Sequence, residues 1–122
     1  MAYHNSKIVG CTFDEAILKV TEELKKEGFG VLTEIDVKET LKKKLDVDFR
    51  KYKILGACNP PFAYQALQTE ETLGVLLPCN VVVQEKENGK VQVSAVNPME
   101  SMQMVKNPAM EEVASKISSK LQ

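Results

Sequence analysis

Asn88-Gly89 lies between two valine-rich alternating runs, residues 75–87 and 90–96, and it constrains the fold more than any other feature of the chain. Both central residues of a two-residue type I′ turn take positive φ, and Asn-Gly is the pair that does so most readily. A β-hairpin, and with it an antiparallel sheet, follows. Counting outward from a two-residue loop pairs Glu87 with Lys90, Gln84 with Val93 and Val82 with Ala95. This register predicts Val82, Val91, Val93 and Ala95 on the core face. Glu85, Glu87, Lys90, Gln92 and Ser94 fall on a wet or interface face, with Val81, Val83 and Val96 at its far end.

The rest of the chain supplies partners for that hairpin. Lys7 to Cys11 reads as a short first strand, with residues 1–6 as a flexible tail. Thr12-Phe13-Asp14-Glu15 is a capping box: the Thr12 hydroxyl accepts from the Glu15 amide while the Glu15 carboxylate reaches back to the Thr12 amide. Phe13, Ala16, Ile17, Val20 and Leu24 then share one helical stripe that stops at Gly28. Phe29 to Asp36 alternates as a strand, with Phe29, Val31, Thr33 and Ile35 on one face and Glu34 and Asp36 on the other. Asp36 caps a short helix carrying Val37, Leu41 and Leu45, whose Lys42-Lys43-Lys44 run is a solvated face. Tyr52 to Cys58 alternates again, and Asn59-Pro60-Pro61 starts a helix with Ala63, Ala66, Leu67 and Leu73 inward, ending near Gly74. After the hairpin come Asn97-Pro98, the methionines Met99, Met102 and Met104, and a last helix capped at Asn107 with Ala109, Val113, Ile117 and Leu121 on its stripe. The predicted order is β-α-β-(α)-β-α-β-β-α. At 122 residues this is a single domain, 1–122, able to bury roughly two thirds of its unfolded surface without a metal or disulfide.

Two Cys-Asn pairs, Cys58-Asn59 and Cys79-Asn80, stand at strand ends on either side of the third helix. They define the predicted ligand-binding edge: Cys58, Asn59, Cys79 and Asn80, with Glu34 as a more distant member. The Asn amides offer donors and acceptors and the thiols a soft lining. A free cysteine is also a common buried apolar residue, and Cys11 fits that description best. Cys58 precedes a helix start, the usual place for an activated thiolate, but Pro60 and Pro61 lack amide hydrogens and Asn59 claims another donor. Three cysteines and one histidine give zinc no characteristic spacing, and His4 falls in the tail, without the surrounding contacts a general base needs. No catalytic residue, metal ligand or cofactor is nominated.

The segments Gly28 to Val37, Leu55-Gly56-Ala57-Cys58-Asn59-Pro60 and Leu77-Pro78-Cys79-Asn80-Val81, in this order, resemble the domain-of-unknown-function family number 302, a group of small prokaryotic proteins. The resemblance spans about Thr12 to Leu121. It implies an α+β fold of β-α-β4-α type like that of the TATA-binding protein, a single antiparallel sheet with helices packed on one face and extra short helices, and association as a homodimer. It supplies no function. Where relatives are expected to carry Asp-Pro after the last strand, this chain has Asn97-Pro98.

A formal net charge of −1 provides no basic excess for nucleic acid or an anionic membrane. The polar N-terminal residues contain no signal-peptide core, and an odd number of cysteines without Cys-x-x-Cys reads as reduced thiols in a cytoplasmic protein. The expectation is a non-catalytic module binding a small ligand or a partner, acting as a homodimer. Its alternatives are a thiol-dependent enzyme or redox or metal sensor using Cys58 and Cys79, and a purely structural dimerisation module.

Overall fold

The computed structural model describes residues 3–101 and 108–121. The strands are β1 (His4–Val9), β2 (Gly30–Asp36), β3 (Tyr52–Cys58), β4 (Cys79–Glu85) and β5 (Val91–Val96). The helices are α1 (Phe13–Lys26), α2 (Val37–Leu45), α3 (Pro60–Thr69), α4 (Pro98–Ser101) and α5 (Pro108–Leu121), with a 3₁₀ turn at Leu73–Leu76. The strands form one antiparallel sheet in the order β1-β5-β4-β3-β2. The predicted architecture and element order are thus observed. Helices α1 and α5 bury their apolar stripes on one face of this sheet, where Phe13, Ala16, Leu24, Val113 and Ile117 meet Leu55, Ala57, Val81, Val83 and Val91. Among the described residues the fully buried valines of β4 and β5 all lie on this helix side.

Local chemistry sets the helix starts and the end of α1 where the sequence places them, whereas α3 stops at Thr69 and not near Gly74, and Leu73 opens a separate 3₁₀ turn. Thr12 Oγ1 accepts from the Glu15 amide at 3.2 Å, although the Glu15 carboxylate takes the Thr12 hydroxyl hydrogen at 3.0 Å and not its amide. Gly28 stops α1 at φ 84°, and Asp36 Oδ1 accepts from the Glu39 amide at 3.0 Å to start α2. The Met102, Met104 and Asn107 expectations lie outside the described residues.

Three expectations are corrected. First, the hairpin closes through three residues: the Lys86 amide bonds the Lys90 carbonyl at 2.8 Å and Glu85 faces Val91. Gly89 takes positive φ and Asn88 does not, the arrangement of a type I turn followed by a left-handed glycine. The extra loop residue slips β4 by one position, and because side chains alternate, every β4 residue changes face. Val81 and Val83 are core, at 2% and 0% exposure, and Val82 points to the uncovered face. Second, β2 has a bulge at Leu32, so Val31 pairs with Ala57 on the helix side while Thr33 and Ile35 pair with Gly56 and Ile54 on the uncovered side. Third, the tail is a strand. His4, Asn5 and Ser6 pair with Val96, Ala95 and Ser94, which makes β1 an edge of the sheet.

Candidate functional site

Register determines where each Cys-Asn residue lies. Cys79 pairs with Ala57 on the helix side and is buried. Cys58, next after Ala57 on β3 and opposite Gly30, falls on the uncovered side and is half-buried. The two thiols therefore belong to opposite faces of one sheet end. Burial raises the Cys79 thiol from its ordinary 9.0 to about 11, and the nearby charge of Cys58 pushes in the same direction. Asn59 is buried and engaged: its Oδ1 accepts from the Phe62 amide at 3.4 Å and its Nδ2 donates to the Glu27 carbonyl at 3.3 Å, tying the start of α3 to the end of α1. Because Pro60 and Pro61 have no amide hydrogen and the Ala63 amide bonds the Asn59 carbonyl, the first turn of α3 has no donor left for Cys58. Asn80 is exposed on the uncovered face and its side chain makes no hydrogen bond among the described residues, while Glu34 is exposed on the helix side opposite Leu55. Of the five expected residues, Asn80 and Cys58 share a face, and Asn59 and Cys79 serve the fold.

The thiol environments predict a selective reaction. Brief iodoacetamide treatment of the native protein at pH 8 should leave Cys79 unmodified and label it only after denaturation, as read by peptide mapping. Because the folded state holds the Cys79 proton more tightly than the unfolded chain does, stability should also decline as pH rises from about 9 to about 11. Labelling of Cys79 at its denatured-state rate would contradict the buried assignment.

The uncovered face carries a cleft of about 380 Å³ between Tyr3 and Tyr52. Its polar lining comprises His4, Asn80, Gln84, Gln92 and Ser94, with no Asp, Glu, Lys or Arg among the described lining residues. A hydrogen-bonded chain spans β1 and β5: His4 Nδ1 to Ser6 Oγ at 2.8 Å, Ser6 Oγ to Ser94 Oγ at 2.7 Å, and Gln92 Nε2 donating to Ser94 Oγ at 3.3 Å. The His4 ring also meets Tyr3 edge-on at 4.7 Å. At the other end Arg50 donates from Nε to Gln84 Oε1 at 3.0 Å, with its guanidinium over the rings of Phe49 and Tyr52. Preorganised amides and hydroxyls flanked by aromatic rings can hydrogen-bond and stack on a ligand. Sequence reasoning missed His4, Ser6 and Ser94 as a group, since a strand face that opens with two polar residues looks like a polar tail. The alternation of His4, Ser6 and Ile8 was the available signal.

Asn97 is likewise committed to the fold, its Oδ1 accepting from the Met99 amide at 3.1 Å and from Ser118 Oγ at 3.2 Å. A carboxylate oxygen accepts both bonds equally well, so an Asp in relatives at this place is compatible with the same cap.

These features define a small α+β domain with one helix-covered sheet face and one open face bearing a polar cleft. The chain belongs to the family described as domain of unknown function DUF302, whose model matches residues 5–122. It is similar to an uncharacterised conserved DUF302 protein from Bacillus stearothermophilus, solved by crystallography, with 34% identity and a TM-score of 0.92 over 99% of this chain and 94% of that one. No curated protein matches the chain.

Proposed function

We propose that this chain is a non-catalytic binding module whose open sheet face holds a small uncharged ligand rich in hydroxyl or amide groups. The observation that carries this reading is the cleft itself: amide and hydroxyl groups gathered between Tyr3 and Tyr52 in about 380 Å³, within the range of small-molecule sites. Asn80 has its full hydrogen-bonding capacity available, and Gln84 keeps its amide donors while its oxygen is held by Arg50. Cys58 lies on the same face beyond Asn80, outside the cleft lining. The absence of lysine and arginine among the described residues that line the cleft argues against nucleic acid as its occupant. The free cysteines support a cytoplasmic setting. N-acetylglucosamine, which offers hydroxyls and an acetamide, is the test ligand. Titrated into ¹⁵N-labelled protein, it should shift the Asn80, Gln84 and Gln92 side-chain amide signals saturably, and Asn80→Leu should weaken binding by about tenfold. Shifts confined to other surfaces would remove the cleft from consideration.

A second reading, the homodimer, is favoured by the apolar residues of the same face. Ile8 and Ile35 are 55% and 49% exposed at its two flanks, with Ile54 and Val82 between. Both sheet edges carry devices that discourage edge pairing, the Leu32 bulge on β2 and Lys7 on β1, which leaves the face as the surface for a second copy. Light scattering should then show the molar mass of the wild-type chain halved in Val82→Asp.

A further inference from the structure

We propose that a second groove, on the helix side between edge strand β1 and helix α1, binds the carboxylate of a long-chain amphiphile. Helix α1 packs across β4 and β5, and β1 extends beyond the helix layer. The uncovered strip becomes a groove of about 800 Å³ whose floor lies on the helix side and which reaches His4 and Ala95, residues it shares with the open-face cleft across the β1 edge. Its floor is apolar: Val9, Val20, Val93, Ala95 and Leu121 line it and are only partly buried. An aliphatic chain laid there removes that surface and its own from water.

The rim selects the sign of the headgroup. Lys7, Lys19 and Lys120 line the groove together with Glu23 and Glu27. Both carboxylates are already engaged, Glu27 with Lys120 at 3.7 Å and Glu23 with Lys26 at 3.0 Å. Lys7 and Lys19 form no ion pair among the described residues, so the rim has two ammonium groups available and no unpaired carboxylate. An apolar trough with a cationic lip complements an anionic headgroup on a hydrocarbon tail and repels the cationic equivalent. A long flexible carboxylate fits this volume, whereas the neutral polar ligand of the other face does not use an apolar floor.

Dodecanoate below its micelle threshold is the probe, measured by titration calorimetry beside dodecyltrimethylammonium, which has the same tail and the opposite charge. One dodecanoate per chain is expected, with the cation bound at least about tenfold more weakly. Lys7→Gln combined with Lys19→Gln should weaken dodecanoate by about tenfold and flatten its salt dependence, while Lys38→Gln with Lys43→Gln on α2 should change nothing. Val20→Phe should obstruct the floor and abolish binding, with thermal unfolding of each variant showing that it is folded. Equal affinity for the two surfactants, many ligands per chain, no binding heat, or indifference to both the lysine pair and Val20→Phe would each overturn the proposal.

Discussion

Gly56→Ala should lower the folding stability by about 3 kcal/mol, the upper range for overpacking a tightly built site. Gly56 lies at the centre of β3, with Asn80 beside it on β4 and Thr33 on β2. A Cβ there would collide with the Thr33 hydroxyl and come within 2.8 Å of Pro78 Cγ. Two side chains from different segments thus close over the space a methyl group needs. The glycine is required by proximity, since no positive φ is recorded at this position. Urea denaturation measures the loss, and Thr33→Ala in the same chain should restore part of it because the collision is shared between the two residues. A loss below about 1 kcal/mol would mean that the strands separate easily here, and the packing of Thr33 over Gly56 would have to be abandoned.

Val83→Asp and Val82→Asp should behave as opposites. Val83 has no exposed surface and sits between Lys53 and Val93 in the sheet, over the helix-side core. A carboxylate there is taken out of water into an apolar core, with Lys53 as its one cross-strand cation, and the expected loss is about 3 kcal/mol, a large part of the stability of a small domain. Val82 faces the open side across from Ile54 and Ser94, and its substitution should cost roughly 1 kcal/mol or less in the folded monomer. Circular dichroism with urea titration distinguishes the two variants. Were Val82→Asp to unfold the chain and Val83→Asp to leave it intact, the hairpin would have a two-residue turn after all.

That pair of substitutions also marks where the sequence was legible. Each cap followed from one side chain acting on its immediate neighbours, so Thr12, Asp36 and Asn59 were placed correctly without any knowledge of the fold. The α1 stripe was equally local, with Phe13, Ala16 and Leu24 all buried. The hairpin was recognised but its register was not, because Asn-Gly is compatible with a two-residue loop and with a longer one ending in a left-handed glycine. One residue of difference exchanged Val82 for Val83 in the core. In β2 the exposed Leu32 broke an alternation that reads as unbroken in the sequence, and only pairing with β3 reveals the bulge.

The candidate site followed the same division. Cys58, Asn59, Cys79 and Asn80 come from neighbouring strand positions, because Ala57 pairs with Cys79 and Gly56 with Asn80. Which face each side chain takes depends on register, a relation between distant segments. The His4, Ser6 and Ser94 chain depends on it even more, because 88 residues separate Ser6 from Ser94 and the β1–β5 pairing brings them to 2.7 Å.

By itself the sequence determined the main element types and their order, the starts of α1, α2 and α3, and the α+β class with its antiparallel sheet. All of these rest on periodicity and on hydrogen bonds within a few residues. Tertiary structure alone decided which valines form the core, that the N-terminal segment is an edge strand, and that the sheet keeps one face open and leaves a groove on the other. Strand pairing and helix coverage are cooperative and non-local, and a shift of one residue reverses every face without changing any local preference.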